Sequence, residues 1–151
     1  MFRLSNATKI KLMNFYPPFL GAGIRVEHLS HDFKKAVVTL KFRWWNKNMV
    51  GTHFGGSLMA MSDPFYMLLI MQNLGRGYIV WDKASTIRFK KPATGKVTCV
   101  FEIDDVLIEK LRTEADQNGK TEVVLPLKIT NEAGEVVCEL DKTVYVRKKR
   151  V

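Results

Sequence analysis

The run NMVGTHFGGSLMAMSDP, residues 48–64, brings together Asn48, the glycine pair Gly55–Gly56 and a single acid, Asp63, in an otherwise apolar stretch. These are the types that an acyl-transfer centre uses: donors for a developing oxyanion, a positioning amide, and a base or nucleophile. Glycines let the backbone approach a ligand closely. If Gly55 and Gly56 open a helix, their amides have no internal acceptor and carry the positive end of the helix dipole. One donor in such an oxyanion site is worth about a hundred- to a thousandfold in rate. The alternative is a tight loop-to-helix junction packed on a strand. A carboxylate on an apolar helix is expensive to bury, so catalysis is one reason for Asp63 to stand there. The other is a structural acid, bonded to Ser62 or Tyr66 or across a subunit boundary.

The neighbours refine this picture. Pro64 follows Asp63, and a proline inside a helix clashes with the carbonyl four residues back, here Ala60. A kink near Asp63 is expected, and it would re-aim that side chain. Asn48 either orients a carbonyl or attacking water, or closes its own loop as an Asx-turn. His53 and Phe54 lead into the glycines. Trp44, Trp45 and Phe54 surround the loop, and large aromatics there either line an acyl or aryl pocket or pack as ordinary core and interface residues. His28 and His31 share no metal-like partner set and read as surface residues, and no metal site is expected.

Hydrophobic periodicity supplies the elements that must position these groups. Residues 5–15 read as a short helix, with Ser5 as a candidate cap and Pro17–Pro18 as its stop. Residues 22–29 suit a strand. From Phe33 the period is two: Ala36, Val38, Leu40 and Phe42 lie opposite Lys35, Thr39, Lys41 and Arg43. An apolar helix over 55–74 follows, then four more alternating runs around 85–90, 97–104, 122–130 and 136–146. Asn131–Gly134 reads as a hairpin turn, and Pro126 places its strand at an edge or a bulge. The polar segment 106–118 is a short surface helix or a long hairpin tip. Five or six antiparallel strands thus expose one apolar face, and one helix, apolar almost all round, covers it. Leu58, Met59, Met61, Phe65, Met67, Leu68, Leu69 and Met71 supply the contact.

The chain has 151 residues, 46% of them hydrophobic and 26% charged. That suits a single domain over residues 1–151 with one core. Its net charge of +9 favours an anionic partner. The basic stretch at Arg88, Lys90 and Lys91 lacks the aromatic interleaving of single-strand binders, and no helix-turn-helix, zinc or RNA-platform signature accompanies it. No nucleic acid is therefore expected. Cys99 and Cys138 occupy apolar slots and read as buried free thiols, which fits a reducing compartment. The N-terminus lacks a signal-peptide pattern, and the longest apolar stretch, from Leu58 to Met71, falls short of the ~20 residues a membrane span needs. A cytoplasmic protein with no membrane partner is expected.

The element order, together with the 48–63 signature, resembles the hotdog fold over nearly the whole chain. More narrowly it resembles the acyl-CoA thioesterases of the phenylacetate-pathway type and a related DUF4442-like group. In that thioesterase pattern an Asn precedes a His-Gly-Gly turn and an acid follows on the helix. Asn48, Gly55, Gly56 and Asp63 match it, while Phe54 holds the usual His position and His53 stands one place earlier. The resemblance implies an α+β hotdog domain, its antiparallel sheet wrapped around one long central helix. It implies hydrolysis of a small-molecule acyl thioester at a homodimer interface, often within a dimer of dimers. The catalytic set it implies is Asp63, Asn48, Gly55 and Gly56, with Asp63 as base or nucleophile reaching across from the partner subunit. The substrate-side set is His53, Phe54, Trp45, Arg88, Lys90 and Lys91. The three basic residues, with the tail Arg147, Lys148, Lys149 and Arg150, suit the phosphates of coenzyme A, or else form a solvated strand face and a frayed tail. No cofactor is implied beyond the coenzyme A moiety of the substrate. Phe54 in place of His favours a rival, a non-catalytic binder of acyl-CoA or a lipid-like ligand. A dehydratase on the same fold lacks an Asp-His or Glu-His pairing to serve it.

Overall fold

Alternating apolar and polar residues pair into sheets wherever one face can be buried, and six such runs do so here in one antiparallel sheet. The computed structural model describes residues 6–149. The candidate cap Ser5 and the tail residue Arg150 lie outside the described residues. The elements are α1 (Asn6–Asn14), α2 (Pro17–Ala22), β1 (Ile24–Leu29), β2 (Lys35–Leu40), α3 (Gly55–Ala60), α4 (Phe65–Leu74), β3 (Tyr78–Phe89), β4 (Val97–Glu102), α5 (Asp105–Asn118), β5 (Lys120–Asn131) and β6 (Val136–Lys148). The strand order is β1-β2-β4-β5-β6-β3, so β3 forms one edge of the sheet.

The sheet wraps a helical segment, as expected, but that segment is two helices rather than one. After α3 the chain makes tighter turns: the Ser62 amide donates to the Met59 carbonyl and the Asp63 amide to the Ala60 carbonyl, at 3.0 and 3.1 Å. The Asp63–Pro64 peptide is cis. α4 restarts with the Leu68 amide donating to Pro64. The expected kink is thus a full interruption, and it leaves Asp63 on a turn rather than on a helix face.

Other expectations are corrected in detail. Pro17 and Pro18 do follow α1, but they also open α2, where the first helical positions need no N–H partner. The polar segment 106–118 is a helix, α5. Asp104 caps it by accepting from the Leu107 amide at 2.8 Å, and Ile108, Leu111 and Ala115 are buried. Pro126 lies on a strand that is interior in the sheet order. β4 pairs with β5 only where Val97–Cys99 meet Asn131–Ile129, so β5 is in effect an edge at Pro126, where a residue without an N–H is tolerated.

The core is aromatic at its centre. The Phe65 ring lies 5.9 Å from Phe19 and 5.0 Å from Phe101, and Tyr66 meets Phe101 edge-on at 5.2 Å. Leu58, Met61, Leu69, Ile70 and Leu74 complete the helical contribution, while Met59, Met67, Leu68 and Met71 are only half-buried. Cys99 and Cys138 are buried free thiols, and burial pushes both up, Cys138 to about 11. Among the described residues no helix is long and apolar enough to cross a membrane. Truncating Phe65 to Ala removes the ring at the centre of this cluster. The variant is expected to lose about 3–5 kcal/mol of stability, read from urea unfolding, with Phe65→Leu losing less.

Candidate active site

A bulge on β3 builds the site. The register with β6 runs Val80↔Val146 and Asp82↔Val144, then Ala84↔Thr143, Ser85↔Lys142 and Ile87↔Leu140, leaving Lys83 as the extra residue. An extra residue in a strand switches which parity points inward. Asp82 therefore faces the helices along with Val80, and so does Ser85 along with Ile87. Without the bulge, Asp82 and Ser85 would lie on opposite faces.

Lys142 stands on the inward phase of β6, in line with Leu140, Val144 and Val146, and is 2% exposed. A lysine is almost never buried this far unless it is paired. Its Nζ lies 3.5 Å from Asp63 Oδ1 and 3.4 Å from Asp82 Oδ2. The α3–α4 turn brings Asp63, whose side chain is 58% exposed. Asp82, at 16%, lies deeper. Two carboxylates thus share one buried ammonium.

These groups line a cleft of about 390 Å³ together with Gly56, Met59, Ala60, Lys83, Ala84 and Ser85. Gly56 lies in the first turn of α3. At that junction the backbone bonds begin with the amides of Ser57 and Leu58, which both donate to the Phe54 carbonyl. The amides of Gly55 and Gly56 have no carbonyl one turn earlier in the helix to bond. A Cβ on Gly56 would stand 2.4 Å from the Phe54 ring, and one on Gly55 3.0 Å from the Phe89 ring, so a side chain at either position has to displace an exposed ring.

Burial pushes the Asp82 carboxyl up to about 6. The Asp63 carboxylate pushes in the same direction, and Lys142 pulls against both. Among the described residues Asp82 meets Lys142 and Asp63 only loosely, with no close hydrogen bond, and Ser85 Oγ has no hydrogen-bond partner. These oxygens are buried behind the cleft wall, and the Lys142 ammonium at 3.4 Å is the charged neighbour of Asp82.

Of the residues expected from the sequence, the cleft unites Gly56 and Asp63. Asn48 closes its own loop: its Nδ2 donates to Thr52 Oγ1 at 2.8 Å, and its Oδ1 accepts from the Val50 and Thr52 amides. His53 is buried beside Phe42, 4.9 Å between ring centroids, with Nε2 2.7 Å from the Gly95 carbonyl oxygen. Burial holds its pKa below the usual histidine value. Phe54 and Trp45 are more than half exposed. Arg88 meets Asp141 at 2.9 Å, Lys90 meets Glu139 at 3.5 Å and Lys91 meets Glu135 at 2.6 Å. These three cations already have carboxylate partners. His28 and His31 are exposed, and among the described residues no His, Cys, Asp and Glu group has metal-binding geometry.

Asp82, Ser85 and Lys142 are absent from the sequence-based set. Lys142 had a signal, since it is a lysine on the apolar phase of an alternating strand. Asp82 had none, because the bulge that aims it inward shows no local pattern.

The sequence model of a domain of unknown function, DUF4442, matches residues 5–146. A Pseudomonas aeruginosa protein of unknown function, described as a probable thioesterase, is 26% identical, with a TM-score of 0.86 over 98% of this chain and 99% of that one. A thioesterase from Haemophilus influenzae shares 15% identity and a TM-score of 0.69 over 97% and 93%. A Chlorobaculum tepidum protein with unknown function shares 16% and 0.76 over 95% and 94%. No curated protein matches. The fold is the hotdog fold.

The cleft predicts a pH signature. The Asp82 carboxyl titrates higher in the folded chain than its ordinary 3.8, so the stability it contributes is complete below that value and is lost as pH rises through about 6. Thermal melts are expected to show the wild type losing ground to Asp82→Asn across this window. A constant difference between the two would contradict the raised value.

Proposed function

The chain belongs to the DUF4442 family, and we propose that it hydrolyses an acyl-CoA-like thioester in the cleft between the α3–α4 segment and β3. One observation carries the reading: Gly56, in the first turn of α3, and Asp63 line the same cleft. The thioester carbonyl oxygen points at the Gly55 and Gly56 amides, which stabilise the charge that develops on it. Asp63 either takes a proton from the attacking water or adds to the carbonyl carbon itself. Asn48 acts on the site by fixing the loop that leads into the glycines. The exposed rings of Phe54 and Trp45 offer an apolar or aryl acyl group a surface beside this loop. Arg88, Lys90 and Lys91 serve coenzyme A only by exchanging their carboxylate partners for phosphates. The relatives described as thioesterases support the same reaction class.

The proposal includes a homodimer or a dimer of dimers. β3 has β6 on one side only, so its outer edge presents unpaired backbone groups over a strand that reads Tyr78–Phe89. A second copy pairing there would remove an edge that is otherwise prone to uncontrolled association. It would also bring the partner's surface to the cleft, where Asp63 is still more than half exposed. The buried free thiols are compatible with a cytoplasmic setting.

Release of free thiol from short, long and aromatic acyl-CoAs tests the reaction. The wild type is expected to turn over at least one class. Asp63→Asn is expected to lose about a hundredfold or more in kcat/KM with its fold intact. Gly56→Ala, which forces the Phe54 ring away, is expected to lose activity as well. No release from any substrate, with an acyl-CoA raising the melting temperature, would establish instead the non-catalytic binder that Phe54 favours. Sedimentation is expected to give an even multiple of the 17.3 kDa protomer mass.

A further inference from the structure

We propose that Asp82 is a second catalytic acid of this cleft, paired with Asp63 across the buried Lys142 ammonium: Asp63 takes the proton of the attacking water and Asp82 gives one to the departing thiolate. This rests on the thioesterase reading above and assigns the half of the reaction which that reading leaves without a residue. The leaving thiolate of coenzyme A is basic, and a group that supplies its proton as the carbon–sulfur bond breaks lowers the barrier.

The geometry supports the division of labour. Asp63 sits at the open rim, where water reaches it. Asp82 lies deeper in the same cleft, with its oxygens buried against the Lys142 ammonium and close to the Asp63 carboxylate. Lys142 touches both carboxylates, so the trio carries a net negative charge when both are ionised. One proton makes it neutral, and burial favours its residence on Asp82. The charged groups facing Asp82 are Asp63 from the interhelical turn and Lys142 from β6. Lys83 on its own strand is engaged by Glu122 of β5, and Ser85 is neutral. The upward push on Asp82 agrees with this arrangement.

The steps balance. The water oxygen adds to the thioester carbon while one water proton passes to the Asp63 carboxylate. The carbonyl electrons move to the oxygen held by the glycine amides. When the carbonyl reforms, the carbon–sulfur bond breaks, and the sulfur keeps the bonding pair and takes the Asp82 proton. The products are a carboxylic acid and a thiol. The proton on Asp63 then passes to the Asp82 carboxylate, which restores the starting state without any further reactant.

The test varies the leaving group. For one acyl group that the wild type hydrolyses, kcat/KM is measured with the coenzyme A thioester and with the 4-nitrothiophenyl thioester, whose thiolate departs without needing a proton. Asp82→Asn is expected to lose about a hundredfold on the coenzyme A thioester and under about fivefold on the activated one. Asp63→Asn is expected to lose heavily on both. Equal losses in Asp82→Asn on the two substrates, or no loss on either, would overturn the acid role while leaving the thioesterase reading intact. If Asp82→Asn does not fold, the wild type decides. Its kcat/KM on the coenzyme A thioester is expected to fall as pH rises through about 6, with no such fall on the activated thioester, and matching profiles would overturn the role. No thiol release by the wild type from either substrate would overturn the thioesterase reading and this assignment together.

Discussion

A single buried ammonium ties the site together. Lys142 occupies a position on β6 that the strand's alternation reserves for apolar side chains, and its charge is stable there only with carboxylates against it. Two elements meet this demand, the α3–α4 turn with Asp63 and the β3 bulge with Asp82. Removing one partner from a buried ionic group of this kind typically costs about 3–5 kcal/mol. The helix breaks where Asp63 reaches this ammonium, and the edge strand bulges beside Asp82. The cleft is the space between those two irregularities.

The two irregularities have different physical origins. On the helical side Pro64 has no N–H to give, and the chain passes through turn-type bonds at Ser62 and Asp63 before α4 begins. On the strand side the extra residue, Lys83, lets both Asp82 and Ser85 face inward. Desolvation falls on the strand acid rather than on the helix acid. A carboxylate in an apolar stretch is costly to bury, and the fold places that cost on β3 rather than on the helical segment. Asp63 escapes to the rim, and Asp82 bears the burial that pushes its carboxyl up.

The edge position of β3 sets the site beside an open side of the sheet. The same strand presents Asp82 and Ser85 on its inner face and unpaired backbone groups along its outer side. Whatever pairs with that edge lies beside the cleft. Phe89 and Phe54, which pack over the glycine turn, are both largely exposed in one protomer. A side chain at Gly55 or Gly56 has to displace one of these rings. The glycine pair lets these rings lie directly against the backbone.

Much of this was legible in the chain itself. Period-two alternation gave the strands, and the run from Leu58 to Leu74 gave an apolar helical segment to cover them, because both patterns depend only on which side chains must leave water. The glycine pair and Asp63 were visible as a local signature, and Pro64 announced the break beside them. Tertiary structure decided what those residues meet. Asn48 and His53 proved to be engaged within their loop and its packing, and Arg88, Lys90 and Lys91 by acids on the β5–β6 hairpin and on β6 itself. Lys142 stood in plain sight as a lysine in an apolar phase, yet its partners come from segments 79 and 60 positions away in sequence. Asp82 carried no local mark, since a bulge is a property of two strands in register and not of one strand's composition. Burial and periodicity are written residue by residue, whereas the pairing of charges waits until the sheet has closed over the helix.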